Sequence, residues 1–264
     1  LSVLLFCCCG SRFMSTPAQL NELFASIQGE GLYVGERQIF VRFSTCNLNC
    51  QYCDSPAALE LTNTYRIELP PGSRHYENRN NPASVEQLVA DVKSLHKPDI
   101  FHALSLTGGE PLLQVNFLKE FLPAVKTAVK LPVYLETNGV LPEFLAEVIE
   151  EVDIIAMDIK LPNATGQSAY WKEHRKFLET AFLKEVFVKV VVTKESLIKE
   201  IEEAAALVAA VDDRIPFILQ PVTPHGPIKH RPDAEHIFAF HTVAKKKLKN
   251  VRVIPQTHKL MGLA

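Results

Sequence analysis

The sequence predicts an α/β protein folded as an incomplete (β/α)6 barrel, a curled parallel sheet left open along one side. Three observations carry this expectation. Short apolar, β-branched runs recur along the chain and alternate with stretches of helical periodicity, the pattern of parallel strands joined by helical crossovers. Nearly every strand candidate runs directly into a polar or glycine-rich cluster. And the chain has 264 residues, 47% of them hydrophobic, enough to fill one core.

Residues 38–43 form the first strand candidate, and Phe43 leads into a cysteine-rich loop. Residues 84–95 place Val85, Leu88, Val89, Val92 and Leu95 at the spacing of one helix face. Ser84 and Gln87 there read as a capping box. Residues 103–106 lead to Thr107-Gly108-Gly109-Glu110-Pro111, and residues 133–135 to Glu136-Thr137-Asn138-Gly139. Pro142 suits the first position of a helix running to residue 150. Residues 154–157 lead to Asp158-Ile159-Lys160. A strand at 186–192 precedes a helix at 195–210. A strand at 217–219 leads to Gln220-Pro221-Val222-Thr223. A helix at 233–247 and a short strand at 251–254 complete the series. Six main strands make a barrel with a gap, and its polar strand ends share one rim, where barrel enzymes carry their chemistry. The polar cluster from Gln256 onward suggests a tail folded back to that rim.

Net charge is −2 and no polybasic stripe occurs, which argues against nucleic acid as a direct partner. The Lys245-Lys246-Lys247 run is short and reads as a solvated helix face. No apolar run approaches the roughly 20 residues of a membrane span. A cytoplasmic protein is expected. Residues 1–14 are expected to be a disordered or non-native tail, with Met14 as a natural start, and residues 15–264 a single catalytic domain. Cys7, Cys8 and Cys9 are adjacent, so their side chains diverge and suit no shared metal. Lipid modification is the other reading of that run.

Cys46, Cys50 and Cys53 decide the functional reading. Their C-x3-C-x2-C spacing lets three thiolates of one loop converge on a metal centre. A structural zinc ion takes four ligands, and an iron–sulfur cube also takes four, one per iron. No fourth cysteine is evident. A cube held this way keeps one iron open to a small molecule. A zinc ion completed by a distant His or Asp is the alternative that spacing alone leaves open. Clustered cysteines in a cytosolic protein are more often metal-binding or catalytic than disulfide-bonded.

Other residues suit the same rim. Gly108 and Gly109 let a ligand approach the backbone closely. Ser26-Ile27-Gln28-Gly29-Glu30-Gly31 suits a tight loop folded over a pocket. Arg42 needs an anionic partner if buried, and a substrate carboxylate would satisfy it bidentately. The other reading is an outward arginine on a surface acid. Ser55 is a hard oxygen donor suited to Mg2+ beside further oxygens, or else a turn or cap serine. Asp158 and Lys160 suit a polar ligand or a plain ion pair. His258 reads as a base or as an ordinary hydrogen-bonded histidine.

The cysteine spacing resembles the radical S-adenosylmethionine (SAM) superfamily, and Thr107 to Pro111 resembles its Gly-Gly-Glu motif. Residues 27–31, Arg42, Cys53-Asp54-Ser55, Gln220-Pro221 and Gln256-Thr257-His258-Lys259 together are similar to the 7-carboxy-7-deazaguanine synthase family. The resemblance implies a TIM-like barrel of the radical SAM type. It implies a 4Fe–4S cluster on Cys46, Cys50 and Cys53, SAM on the open iron, and Mg2+ on Ser55. It places SAM against Tyr52, Cys53, Asp54, Gly109, Asp158, Ile159, Lys160, Gln220, Pro221, Val222 and Thr223. It places a pterin against Ile27, Gln28, Gly29, Arg42, Thr107 and Ala264. The implied reaction contracts 6-carboxy-5,6,7,8-tetrahydropterin to 7-carboxy-7-deazaguanine plus ammonia, for queuosine and other 7-deazapurines, with no side chain implied as acid or base. The implied partners are an electron donor such as flavodoxin or ferredoxin and a second copy in a homodimer. A radical SAM activase of a glycyl-radical enzyme and a non-enzymatic zinc-binding module stay open as alternatives. Two departures from the family stand out. Asp158-Ile159-Lys160 replaces a common Ser-Pro-Lys, and residues 59–81 replace part of the early crossover, as a lid or a solvated loop.

Overall fold

A run of seven parallel strands dominates the sheet. The structure, a computed structural model, describes residues 16–263. The expected tail of residues 1–14, the Cys7-Cys8-Cys9 run and Ala264 lie outside the described residues. The strands are β1 (Leu20–Ile27), β2 (Arg37–Phe43), β3 (Thr64–Glu68), β4 (Tyr76–Asn80) and β5 (Ala103–Gly108). They continue with β6 (Val133–Thr137), β7 (Ile154–Asp158), β8 (Glu185–Val192), β9 (Phe217–Pro221) and β10 (Val251–Val253). Their order is β10-β9-β8-β7-β6-β5-β2-β1-β3-β4. From β2 through β5 to β10 every neighbouring pair is parallel. The two edge strands do not pair with each other, so the barrel is incomplete, as expected.

The helices close the outer face. They are α1 (Val85–Leu95), α2 (Val115–Val129), α3 (Pro142–Val148), α4 (Pro162–Thr165), α5 (Trp171–Ala181), α6 (Ile198–Ala209), α7 (Ala234–Lys245) and α8 (Thr257–Leu260). The capping box at α1 is half formed. Ser84 accepts from the Gln87 amide at 3.2 Å, but the Gln87 side chain turns to Asp91 instead. Helix α2 was not expected, because Pro123 interrupts its pattern. Packing overrides the proline: Phe117, Leu118, Phe121, Leu122 and Val125 are all fully buried.

The sheet has two apolar layers. The outer one lies between strands and helices and holds most of the core. The inner one is a small plug inside the barrel, built from Ala103, Tyr134, Ile154, Ala156, Phe187 and Ile218. Above the plug, the inward positions of the same strands turn polar. Period-two alternation aligns them: Ser105 and Thr107 on β5, Glu136 on β6, Asp158 on β7, Lys189 on β8, Gln220 on β9.

Strands β1, β3 and β4 extend the sheet past β2 and were not expected from the sequence. Residues 59–81 had read as a lid or a solvated loop. The structure folds Thr64–Glu68 and Tyr76–Asn80 into an antiparallel hairpin, with β3 paired parallel to β1. Tyr65 and Ile67 are buried beneath it. The other strand of the hairpin, Tyr76-Glu77-Asn78-Arg79-Asn80, has no apolar alternation to reveal it.

Phe117 is fully buried, with its ring 6.4 Å from Phe43 and 5.3 Å from Phe121. Phe117→Ala is expected to cost about 3–5 kcal/mol in denaturant unfolding of the metal-free protein. A change under about 1 kcal/mol would show that α2 does not pack against the end of β2.

Candidate active site

The cysteine loop is held by the backbone of the next strand. Gly109 donates to the Phe43 carbonyl at 3.1 Å, and the Glu110 amide to the Thr45 carbonyl at 2.8 Å. A Cβ on Gly109 would lie 1.7 Å from the Thr45 carbonyl oxygen. Gly108 has φ +122°, and its Cβ would meet the Phe43 carbonyl oxygen at 2.3 Å. Both positions therefore require glycine. The Glu110 carboxylate is fully buried and accepts from the Leu112 amide, the Thr137 hydroxyl and the Asn138 amide at 2.8–3.1 Å. Burial raises its pKa to about 7 despite those three donors. Asn138 in turn donates to Asn47 Oδ1 at 2.8 Å, inside the cysteine loop. Three strand ends thus share one hydrogen-bonded unit around the thiols.

Cys46, Cys50 and Cys53 are free and half-buried. Burial pushes the Cys46 and Cys50 thiols up, so metal binding must displace their protons. All three cysteines line the same cavity. A single zinc ion at Zn–S distances of about 2.3 Å would draw them to roughly 3.8 Å. A cube sets each thiolate on its own iron.

The loop opens onto a cavity of about 440 Å³. This cavity gathers most of the residues expected to be functional. Cys46, Cys50, Cys53, Tyr52, Asp54 and Ser55 line one side. Gly109, Asp158, Lys160, Gln220, Val222 and Thr223 line another. Ile27, Gln28, Gly29, Arg42 and Thr107 complete it. Ile159 and Pro221 do not line it. Alternation turns them away: Ile159 is fully buried in the outer core, between the inward Asp158 and Lys160. Ala264 lies outside the described residues.

Charges inside the cavity form a chain. Lys160 pairs with Asp158 at 2.8 Å, and Lys189 lies 3.7 Å from the same carboxylate. Lys189 also pairs with Glu30. Gln256 donates to Glu30 at 2.8 Å and to Asp54 at 3.0 Å, and Lys259 reaches Asp54 at 3.2 Å. Burial works to raise the Asp54 pKa, but Lys259, Gln256 and Lys189 outweigh it and hold the acid at about 2. Burial likewise opposes ionised Glu30, and Lys189 outweighs it. Burial also disfavours charged Lys160 and Lys189, yet their acidic neighbours raise both pKa values. Glu30, Asp54 and His258 bring one ligand atom each within 4.8 Å. Lys189 and Lys259 supply counter-charge to Glu30 and Asp54 there.

Several side chains expected to bind ligands have structural duties as well. Gln28 donates to Gln38 and Glu136 and accepts from the Glu30 amide, which fixes its loop. Thr107 donates to Glu136 at 3.0 Å. His258 packs on Gly29, where a Cβ would lie 2.2 Å from its Nδ1. Burial lowers its pKa. Asp158 Oδ1 and Gln220 Oε1 are buried without a hydrogen-bond partner among the described residues. Buried acceptors of that kind call for a donor from a ligand or from water.

Sequence reasoning missed Lys189, Glu22 and Arg66 as cavity residues, and placed Glu136 in a rim cluster without a ligand role. The signal for Lys189 was present: a lone lysine in Val186-Phe187-Val188-Lys189-Val190-Val191-Val192. A charge inside such an apolar strand is expensive unless it faces a partner.

The radical SAM superfamily matches residues 40–181. The 7-carboxy-7-deazaguanine synthase of Geobacter sulfurreducens is 43% identical over 94% of this chain and 99% of its own. That of Methanocaldococcus jannaschii is 35% identical over 92% of this chain and 99% of its own. The chain belongs to the 7-carboxy-7-deazaguanine synthase family. Its fold resembles the crystal structure of QueE from Escherichia coli, with a TM-score of 0.57 and 18% identity over 90% of this chain and 93% of that one. As a radical SAM enzyme it belongs to a superfamily defined by a 4Fe–4S cluster and SAM. The three free thiols, their spacing and the unpartnered acceptors fit both groups. In this family member the Gly-Gly pair is a steric requirement of the cysteine loop.

Gly109→Ala is expected to fold yet reconstitute well under half the wild-type iron and sulfide, read by metal analysis and visible absorption. Full cluster content would show that the close approach to Thr45 is dispensable. A second expectation concerns His174, buried with Nε2 3.1 Å from the Asn138 carbonyl. Burial lowers its pKa from 6.5 to about 4. The unfolded chain therefore takes up the proton first, and stability falls as pH drops from 6.5 toward 4. Unfolding titrations of His174→Gln should show a flatter acid limb; an unchanged limb would refute this.

Proposed function

We propose that this chain converts 6-carboxy-5,6,7,8-tetrahydropterin to 7-carboxy-7-deazaguanine and ammonia. The observation that carries the reading is one cavity shared by the three-cysteine loop, the Arg42 guanidinium and unpartnered acceptors from two strand ends. Cys46, Cys50 and Cys53 would hold the cluster. Asp158, Lys160, Gln220 and the Gly109 backbone would hold SAM, with Tyr52 beside it. Bound together, cluster and SAM supply the hydrogen-abstracting radical chemistry, which is the cofactors' own. The protein has to fix the pterin and keep water out. Phe24 and Phe40 stack at 5.1 Å on the cavity floor, and Arg42 lies over Phe24 with its Cζ 5.4 Å from the ring centroid. A flat pterin with a carboxylate edge matches an aromatic floor beside a guanidinium.

Ser55 is the candidate Mg2+ ligand. Its hydroxyl donates to Asp54 at 3.5 Å and accepts from Arg42 at 3.3 Å. Asp54 thereby puts a second hard oxygen beside it. The same reading includes a one-electron donor such as flavodoxin or ferredoxin and a homodimer, both supported by family membership alone. One continuous ten-stranded sheet from Leu20 to Val253 supports a single catalytic domain. Among the described residues no helix is long and apolar enough to cross a membrane. Free thiols support a cytoplasmic site.

Anaerobic reconstitution followed by incubation with SAM, dithionite, Mg2+ and the carboxypterin should yield 7-carboxy-7-deazaguanine, identified by mass. A fully loaded protein that makes none would remove the assignment, as would zinc in place of iron and sulfide. Ser55→Ala should lose its response to added Mg2+, and a wild-type response would exclude the ligand role.

A further inference from the structure

The β3–β4 hairpin contributes a second guanidinium to the cavity. Glu22 on β1 lies opposite Arg42 in the antiparallel register and opposite Arg66 in the parallel one. The three side chains therefore form one row across β2, β1 and β3, on the inner face. Arg42 Nε meets Glu22 Oε1 at 2.8 Å. Arg66 meets Glu22 Oε2 through Nε at 2.8 Å and Nη2 at 2.6 Å. One buried carboxylate is thus flanked by two cations, and the row keeps one uncompensated positive charge. All three residues line the cavity.

The row is built rather than incidental. The Glu22 side chain is only 7% exposed. Its two oxygens are divided between the two arginines, so each guanidinium is held by its own oxygen of one buried carboxylate. Tyr76 on β4 holds Arg66 from the other side, with Cζ 4.5 Å from the ring centroid. Tyr65 and Ile67 bury the opposite face of β3, which fixes the alternation that points Arg66 inward. Arg42 spends Nε on Glu22 and Nη1 on Ser55. Each arginine keeps N–H groups with no protein partner among the described residues.

We propose that Arg66 is a substrate-specificity residue, which together with Arg42 receives the carboxylate of the pterin. This rests on the proposed reaction and extends it to the hairpin. A monoanion placed between the two guanidinium edges completes an alternating set of charges around Glu22. A neutral substituent at the same position would leave the row with its excess positive charge unmatched. Arg66 is half exposed, so its contribution is smaller than that of Arg42.

Steady-state kinetics of the reconstituted enzyme test this, with competitive binding of two ligands: the carboxypterin and its 6-hydroxymethyl analogue. Arg66→Met keeps the aliphatic stem over Tyr76. It is expected to raise KM for the carboxypterin about tenfold with kcat within about twofold, since a screened charge contact is lost from binding. Its affinity for the hydroxymethyl analogue should stay at the wild-type value. Arg66→Gln keeps a polar head for Glu22 and should show the same selective loss if the methionine variant folds poorly. An unchanged KM, or equal losses for both ligands, would overturn the role of Arg66. A wild-type enzyme that binds both ligands equally would instead overturn the carboxypterin reading beneath it.

Discussion

The site depends on two backbones meeting where side chains are forbidden. The end of β5 approaches the end of β2 so closely that Gly109 has no room for a methyl group. The contact passes Glu110 N–H to the Thr45 carbonyl, and Thr45 itself sits at φ +72°. That backbone geometry starts the turn which brings Cys46 back over the barrel. Glu110 then extends the lock to β6 through Thr137 and Asn138. Three parallel strands thereby fix the cysteine loop with main-chain precision. The lock costs a deeply buried carboxylate, whose elevated pKa records the strain of desolvation against three donors.

Barrel strands β2 and β5 to β10 were legible because most are short apolar runs that stop at a polar cluster. The extension formed by β1, β3 and β4 was not. β4 carries no apolar alternation, and β1 mixes Glu22 and Ser26 into an otherwise apolar run. Glu22 faces the cavity, so a polar residue stands where an apolar one would have marked the strand. Helix α2 was hidden by Pro123 for a different reason, since local propensity loses to seven buried positions.

The site divides the same way. Loop motifs such as Cys46 to Ser55 and Thr107 to Pro111 were visible because spacing and glycine carry them. Lys189, Glu136 and Glu22 lie within strands, and only the three-dimensional alternation turns them inward together. Ile159 and Pro221 show the converse, since they do not line the cavity. A contiguous motif suggested contiguous contacts, yet a strand offers only every second residue to one face.

Buried ion pairs seldom raise stability over an apolar alternative. The chain from Lys160 through Asp158, Lys189 and Glu30 to the Gln256 and Lys259 tail is therefore better understood as preorganisation. It orients charges before any ligand arrives, and it ties the C-terminal segment to the rim, where the Thr257 amide also reaches the Gly29 carbonyl at 2.9 Å. As many acids as arginines and lysines line the cavity, and the lowered pKa of His258 keeps that residue neutral. SAM carries one net positive charge, from an ammonium and a sulfonium against one carboxylate. The proposed substrate carries one negative charge. Those two charges oppose each other, and the cluster with its three thiolates and Mg2+ would add their own to the balance. The proposed placement of the two ligands follows the uneven charge within the cavity, the positive row at Arg42 and Arg66 for the carboxylate and the Asp158 acceptor for SAM.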